Sequence, residues 1–238
     1  MLFAGRGVIK ISEIFGPVIQ GEGAHIGVPT VFVRTGGCDY RCSWCDTMYA
    51  VDKKFAHEWH SFSDDDVVAA VMQLSTKPIL VTLSGGNPAL FDFSAVIARL
   101  HELGYRFTIE TQGSVPRSWF TLLDHMTLSP KPPSSGMATD FKKLEQCMSW
   151  LELEKIDLKI VIADDADYDY ARYVSNRYGQ IKCYLQVCNL EPGGNGDLAQ
   201  TLLRKLQWLE EKVLHDRWYH ATVLPQLHVL IHGNKRGI

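Results

Sequence analysis

The sequence predicts an α/β fold, a partial TIM-like βα barrel of fewer than eight strands behind an N-terminal extension. Three observations lead there. Short β-branched or aromatic runs alternate with helical periodicities, which argues for βα units and a parallel sheet. The glycine-rich and polar clusters GGCDYRC, SGGNP, ETQGS, SPKPPSS and QVCN each sit at the end of such a run. That is the strand edge at which open sheets and barrels both place their sites, and contributions from several separate strands favour a ring. A chain of 238 residues is also short for eight βα units.

The strands, in order, are TVFVRT (30–35), PILVTL (78–83), YRFTIE (105–110), HMTLSP (125–130), IDLKIVI (156–162), IKCYLQV (181–187) and ATVLP (221–225), most of them apolar enough to be buried. Between them, 63–74 reads as a helix: Ser63 caps an acidic first turn, and Val67, Val68, Val71 and Leu74 form an apolar stripe. Segments 92–103, 139–151, 166–177 and 197–214 follow similarly. With no linker or low-complexity stretch, residues 1–238 read as one domain, with 1–29 as the extension and 225–238 as a tail. In the extension, VIKISEIFGPVIQGEGAHIG, Gly21 and Gly23 suggest a turn or a tight approach to a ligand.

An apolar fraction of 46% supports a substantial core. Against 27 acidic side chains the 24 basic ones leave a formal charge of -3, with no positive excess to grip a phosphate backbone, so a small-molecule or protein substrate is expected and nucleic acid is not. The start, MLFAGRGVIKISEIF, lacks the pattern of a leader, and no apolar run approaches the length of a membrane span. A cytoplasmic protein without membrane attachment is the expectation. Six cysteines, three clustered and the others at Cys147, Cys183 and Cys188, do not resemble a disulfide framework and favour a reducing compartment and a metal site.

The cluster is GGCDYRCSWCDT (36–47), with Cys38, Cys42 and Cys45 at C-x3-C-x2-C spacing. Zinc, a cluster of iron and sulfide, and no metal are the choices. Structural zinc completes a tetrahedron from paired ligands, and no later C-x2-C supplies the second pair. A [4Fe-4S] cube can be held by three thiolates with one iron left open, which implies chemistry rather than scaffolding. HEWH (57–60) lacks the i, i+4 histidine pair of a zinc protease and reads as a surface segment, while Cys147 and Cys183 read as small core residues. Cys188 falls near the site edge, with no base to pair it.

With Trp44 before the last cysteine, the motif becomes C-x3-C-x-aromatic-C, and the chain resembles the radical S-adenosylmethionine (SAM) enzymes. IQGEG (19–23), FVRTGGCDY (32–40), WCDT (44–47), SGGNPAL (84–90), ETQG (110–113), SPKPPSS (129–135) and LPQLHVLIHGNKRGI (224–238) are together similar to the 7-carboxy-7-deazaguanine synthase family. That resemblance implies a lyase that contracts the ring of 6-carboxy-5,6,7,8-tetrahydropterin with loss of ammonia, on the route to queuosine. It implies a [4Fe-4S] cluster on Cys38, Cys42 and Cys45, with SAM chelating the open iron and yielding a 5'-deoxyadenosyl radical. SAM would be lined by Trp44, Cys45, Asp46, Gly86, Ser129, Pro130 and Lys131. Ile19, Gln20 and Gly21 would wall the pterin through backbone hydrogen bonds, Arg34 would pair with its carboxylate, Ser84 would face it, and the carboxylate of Ile238 would complete the pocket. Thr47 would supply a hydroxyl to Mg2+, and a flavodoxin or ferredoxin the electron. A homodimer is implied in the same way. Glu110 and Gln112 fall at the mouth without assigned roles, and Asn87 stands where the superfamily often has Glu. Two other readings remain open: a radical SAM activase acting on a partner protein, and a zinc or iron-sulfur binding module without catalysis.

Overall fold

The computed structural model describes residues 7–189 and 198–238. The first six residues of the extension and Asp197, the expected start of the last long helix, lie outside the described residues. Among the described residues nine strands form one sheet: β1 (Ile9–Ile19), β2 (Pro29–Thr35), β3 (His60–Phe62), β4 (Leu80–Gly85), β5 (Arg106–Thr111), β6 (His125–Leu128), β7 (Ile156–Ile162), β8 (Lys182–Val187) and β9 (Ala221–Leu224). Its order is β3-β1-β2-β4-β5-β6-β7-β8-β9, with β2 and β4 to β9 parallel and β1 antiparallel to both β2 and β3. All seven strands expected from the sequence are present, in the expected parallel arrangement.

The extension holds a strand the sequence did not announce: β1 is eleven residues long and buries Ile9 and Ile11 in the core, and the turn suggested by Gly21 and Gly23 follows it, with Gly23 at a φ of 60° opening a short 3-10 turn. Gly16 and Pro17 disguise the strand, since both ordinarily break strands. A register shift between Phe15 and Val18 absorbs them, and β3 pairs only with Ile9, Lys10 and Ile11, so Pro17 lies beyond the stretch that β3 covers. HEWH is a surface segment, as expected, with His57 and His60 exposed; His60 opens β3, and Trp59 lies against Gly36, where an added Cβ would fall 2.5 Å from the indole.

Among the described residues seven α-helices accompany the strands: α1 (Met48–Val51), α2 (Asp64–Leu74), α3 (Ser94–Glu102), α4 (Phe141–Met148), α5 (Asp165–Arg177), α6 (Leu198–His215) and α7 (Leu227–His232). Ser63 and Asp66 form a reciprocal capping box on α2. Asp140 and Asp164 cap α4 and α5 by accepting backbone N–H bonds, which fixes the start of each. No sequence signal marked α1 or α7. No helix among the described residues is long and apolar enough to cross a membrane.

Phe93, Phe107, Phe120 and Tyr168 are the bulkiest fully buried side chains, in a core that runs along the sheet beneath α2 to α6. Residues from β1, β2, β4, β5 and β7 nonetheless line a single cavity, so the open sheet is curled into an incomplete barrel. The cavity lies at the C-terminal ends of the parallel strands, the edge the sequence picked out.

Candidate active site

The loop from Gly36 to Thr47 leaves the end of β2 and interlocks with the loop after β4. Gly86 N–H donates to the Thr35 carbonyl at 3.0 Å and Asn87 N–H to that of Gly37 at 2.8 Å. A Cβ on Gly86 would sit 2.0 Å from the Gly37 carbonyl oxygen, backbone against backbone, so only glycine lets the two loops meet.

Cys38, Cys42 and Cys45 all face the cavity, which encloses about 220 Å³. Burial pushes the Cys38 thiol up to about 11 and raises Cys42 and Cys45 in the same direction. These groups are therefore protonated at neutral pH until a metal takes them as thiolates and releases the protons. Among the described residues no three His, Cys, Asp or Glu side chains converge as a single ion would require. A cube differs, because each thiolate ties a separate iron, and three thiols spread along one loop suit it. Cys188 lines the same cavity, where burial pushes its thiol up to about 12.

Of the residues expected around SAM, Trp44, Cys45, Asp46, Gly86, Ser129 and Lys131 line the cavity, and Pro130 is not among the lining residues. The Trp44 indole N–H donates to the Ser134 hydroxyl at 2.8 Å, and that hydroxyl donates to the buried Asp167. The ring is thus held edge-on by a relay from the first turn of α5. Lys131 folds back on Ser129, donating to its carbonyl at 2.9 Å and its hydroxyl at 2.8 Å. Burial lowers its pKa, opposed by the neighbouring Cys42.

Ile19, Gln20, Gly21, Arg34, Thr47, Ser84 and Ile238 line the cavity as well. The backbone of Gln20 is already engaged, its N–H with Val28 and its carbonyl with Gly27, and the Gly21 carbonyl accepts from Leu227 N–H at 3.0 Å. Each of these two carbonyls keeps a second lone pair with which it can accept a hydrogen bond from a ligand. Arg34 donates from Nε to Glu13 at 2.8 Å, and Tyr49 donates to the same carboxylate oxygen at 2.9 Å. Its guanidinium lies 5.5 Å from the Phe15 ring centroid. Burial opposes its charge, but Tyr49, Glu13 and Asp46 more than offset that and raise its pKa. Thr47 Oγ1 stands 3.6 Å from Cys45 Sγ.

Sequence reasoning missed a buried charge network on the cavity wall. Lys159, in the middle of β7, donates to Glu22 and, at 3.1 Å, to Glu110. Gln20 donates to the other oxygen of Glu110 at 3.0 Å, and Gln226 joins Glu22 at 2.8 Å to Asp46 at 3.3 Å. Burial disfavours the charged form of Glu22, yet Lys159 beside it and His228 nearby hold it well below the usual carboxylate range. The same carboxylates raise Lys159 despite its burial. One signal was available: a lysine inside the apolar run IDLKIVI must find partners if that strand is buried. The tail completes the wall, for Gly21 leaves room for α7, and a Cβ there would fall 2.2 Å from His228 Nδ1.

Comparisons with known proteins give the family and the fold. Residues 32–129 match the family model of the radical SAM superfamily. The 7-carboxy-7-deazaguanine synthase of Bacillus subtilis is 44% identical, covering 97% of this chain and 98% of that protein. Its counterpart in Bacillus cereus is 41% identical over 97% of this chain and 99% of its own length. Among solved structures, QueE from Escherichia coli shares the fold with a TM-score of 0.69 at 22% identity, covering 93% of this chain and 95% of that one.

Proposed function

Because the chain belongs to the 7-carboxy-7-deazaguanine synthase family of the radical SAM superfamily, we propose that this cavity carries out the radical ring contraction of 6-carboxy-5,6,7,8-tetrahydropterin to 7-carboxy-7-deazaguanine, with release of ammonia, in queuosine biosynthesis. The observation that carries this reading is the gathering, in that cavity, of three thiols on one loop and a half-buried arginine with a polar wall from the segment after β1, β7 and the tail. A [4Fe-4S] cluster and SAM, when bound, supply a 5'-deoxyadenosyl radical able to take hydrogen from the substrate.

The protein's own part is to bind, orient and keep out water. Cys38, Cys42 and Cys45 hold the cluster. Trp44, fixed by Ser134, offers adenine a flat apolar face, and Asp46, Gly86, Ser129 and Lys131 surround the rest of SAM. Arg34 keeps its two terminal nitrogens for the substrate carboxylate, since Glu13 takes only Nε. Ile19, Gln20, Gly21, Ser84 and Ile238 enclose the pterin, and the Lys159 network fixes Gln20 and Glu22 from behind. Thr47 offers one hydroxyl to Mg2+, too little for a site by itself, so the substrate must supply further oxygens and the metal binds with it. Thr47→Val is therefore expected to abolish stimulation of turnover by Mg2+ while iron and sulfide content stay at the wild-type level; unchanged stimulation would exclude this ligand. A flavodoxin or ferredoxin delivers the electron, and the working unit is a homodimer, a state that analytical ultracentrifugation reads directly.

The decisive experiment is anaerobic turnover with dithionite, SAM and the carboxytetrahydropterin, read by product mass. A deazaguanine carboxylate with release of ammonia is the expected product. SAM cleavage without it would point to another radical SAM substrate, such as a partner protein.

A further inference from the structure

Two buried amides converge on the cysteine loop from neighbouring strand ends. Gln112, just beyond β5, has one side-chain nitrogen that donates to Asp39 Oδ1 at 2.6 Å and reaches Cys38 Sγ at 3.7 Å. Asn87, beyond β4, donates to the same Asp39 oxygen at 2.8 Å and to the Ser114 hydroxyl at 3.3 Å. The Asn87 carbonyl in turn accepts from the Thr111 hydroxyl at 2.9 Å and from Ala89 N–H at 3.2 Å, which settles the orientation of its amide. Asn87, Gln112 and Ser114 are all buried, so this arrangement is built into the fold. Cys38 Sγ receives a second donor, the Tyr40 backbone N–H, at 3.4 Å.

We propose that Gln112 is a positioning residue that raises the reduction potential of the cluster through its N–H bond to Cys38, and that Asp39 and Asn87 hold its amide in that orientation. A donor on a ligating sulfur draws electron density from the iron, and the bond strengthens when the cluster gains an electron, so the reduced form is favoured. The Asp39 carboxylate beside the same sulfur acts in the opposite direction, because its negative charge opposes a further one. Gln112 lines the same cavity, and the role proposed for it runs through Cys38.

The inference rests on Cys38 being a cluster ligand. The test is an anaerobic potentiometric titration of the reconstituted protein, followed by electron paramagnetic resonance. Gln112→Leu is expected to make reduction less favourable by about tenfold in the equilibrium constant, about 59 mV for a one-electron couple. Gln112→Glu, which keeps the shape but replaces the donor by a charge, should move it further in the same direction. Asp39→Asn, on an exposed side chain, should shift the potential the other way, and it carries the test if position 112 tolerates no change. Potentials equal to wild type in the variants that hold a full cluster would overturn the proposal. A Cys38→Ala protein that still binds a complete, SAM-cleaving cluster would overturn the ligand assignment beneath it.

Discussion

Replacing Cys42 with alanine is expected to abolish both SAM cleavage and product formation, and to strip the protein of iron and sulfide under anaerobic reconstitution. The three thiols share one loop and one cavity, whereas Cys188, also in that cavity, comes from the end of β8 and not from that loop. The fold should survive. Cys42 is a small side chain on a loop and is not part of the contiguous core built around Phe93, Phe107 and Phe120, so its replacement leaves the strand pairings intact. Circular dichroism with iron and sulfide analysis separates the two effects. A Cys42→Ala protein with wild-type iron content and SAM cleavage would rule out the proposed ligand set.

The second large effect is expected at Lys159. Its ammonium is the shared counter-ion of Glu22 and Glu110, with 6% of the side chain exposed against 16% and 18% for the two carboxylates. Lys159→Met leaves both acids buried without it, a loss of about 3–5 kcal/mol for a broken buried pair. For a chain of this size that lowers the melting temperature by roughly 10 °C. The pH dependence gives the sharper signature. In the wild type the folded pKa of Glu22 lies below its ordinary 4.5, so its stabilisation is present above that value and fades as pH falls through it. Lys159 is shifted upward, so its share is present below its ordinary 10.5 and is lost only at alkaline pH. In the variant, burial without a cation raises the carboxylates instead, and the deficit should shrink as pH falls from neutrality. Thermal unfolding from pH 5 to 8 measures this, and Glu22→Gln in the Lys159→Met background should recover part of the loss. A deficit that does not change with pH would mean that the network is not ionised as described.

Much of this was legible in the order of residues. Alternating runs marked all seven parallel strands, because a buried parallel strand must be apolar almost throughout. Cysteine spacing and the glycines of SGGNP marked one edge of the sheet, because their chemistry depends on local backbone geometry. The strand β1 escaped notice because Gly16 and Pro17 break its pattern locally, while its pairing partners, Pro29–Thr35 and His60–Phe62, lie further along the chain. Helix α7 escaped for a related reason: its six residues are too few for a periodic signal, and their place is set by Gln226 on Glu22 and Leu227 on Gly21.

By itself the sequence determined which chemistry this protein carries, since three thiols and an aromatic at fixed spacing are a local property of one loop. Only the tertiary structure decided how the site is held. Lys159 meets Glu22 from 137 positions away, and Gln226 meets the same carboxylate from 204, so no window of sequence contains both partners. Such pairs exist because a charge buried by the curling of the sheet must find its complement wherever the fold brings one, and that choice is made in space rather than along the chain.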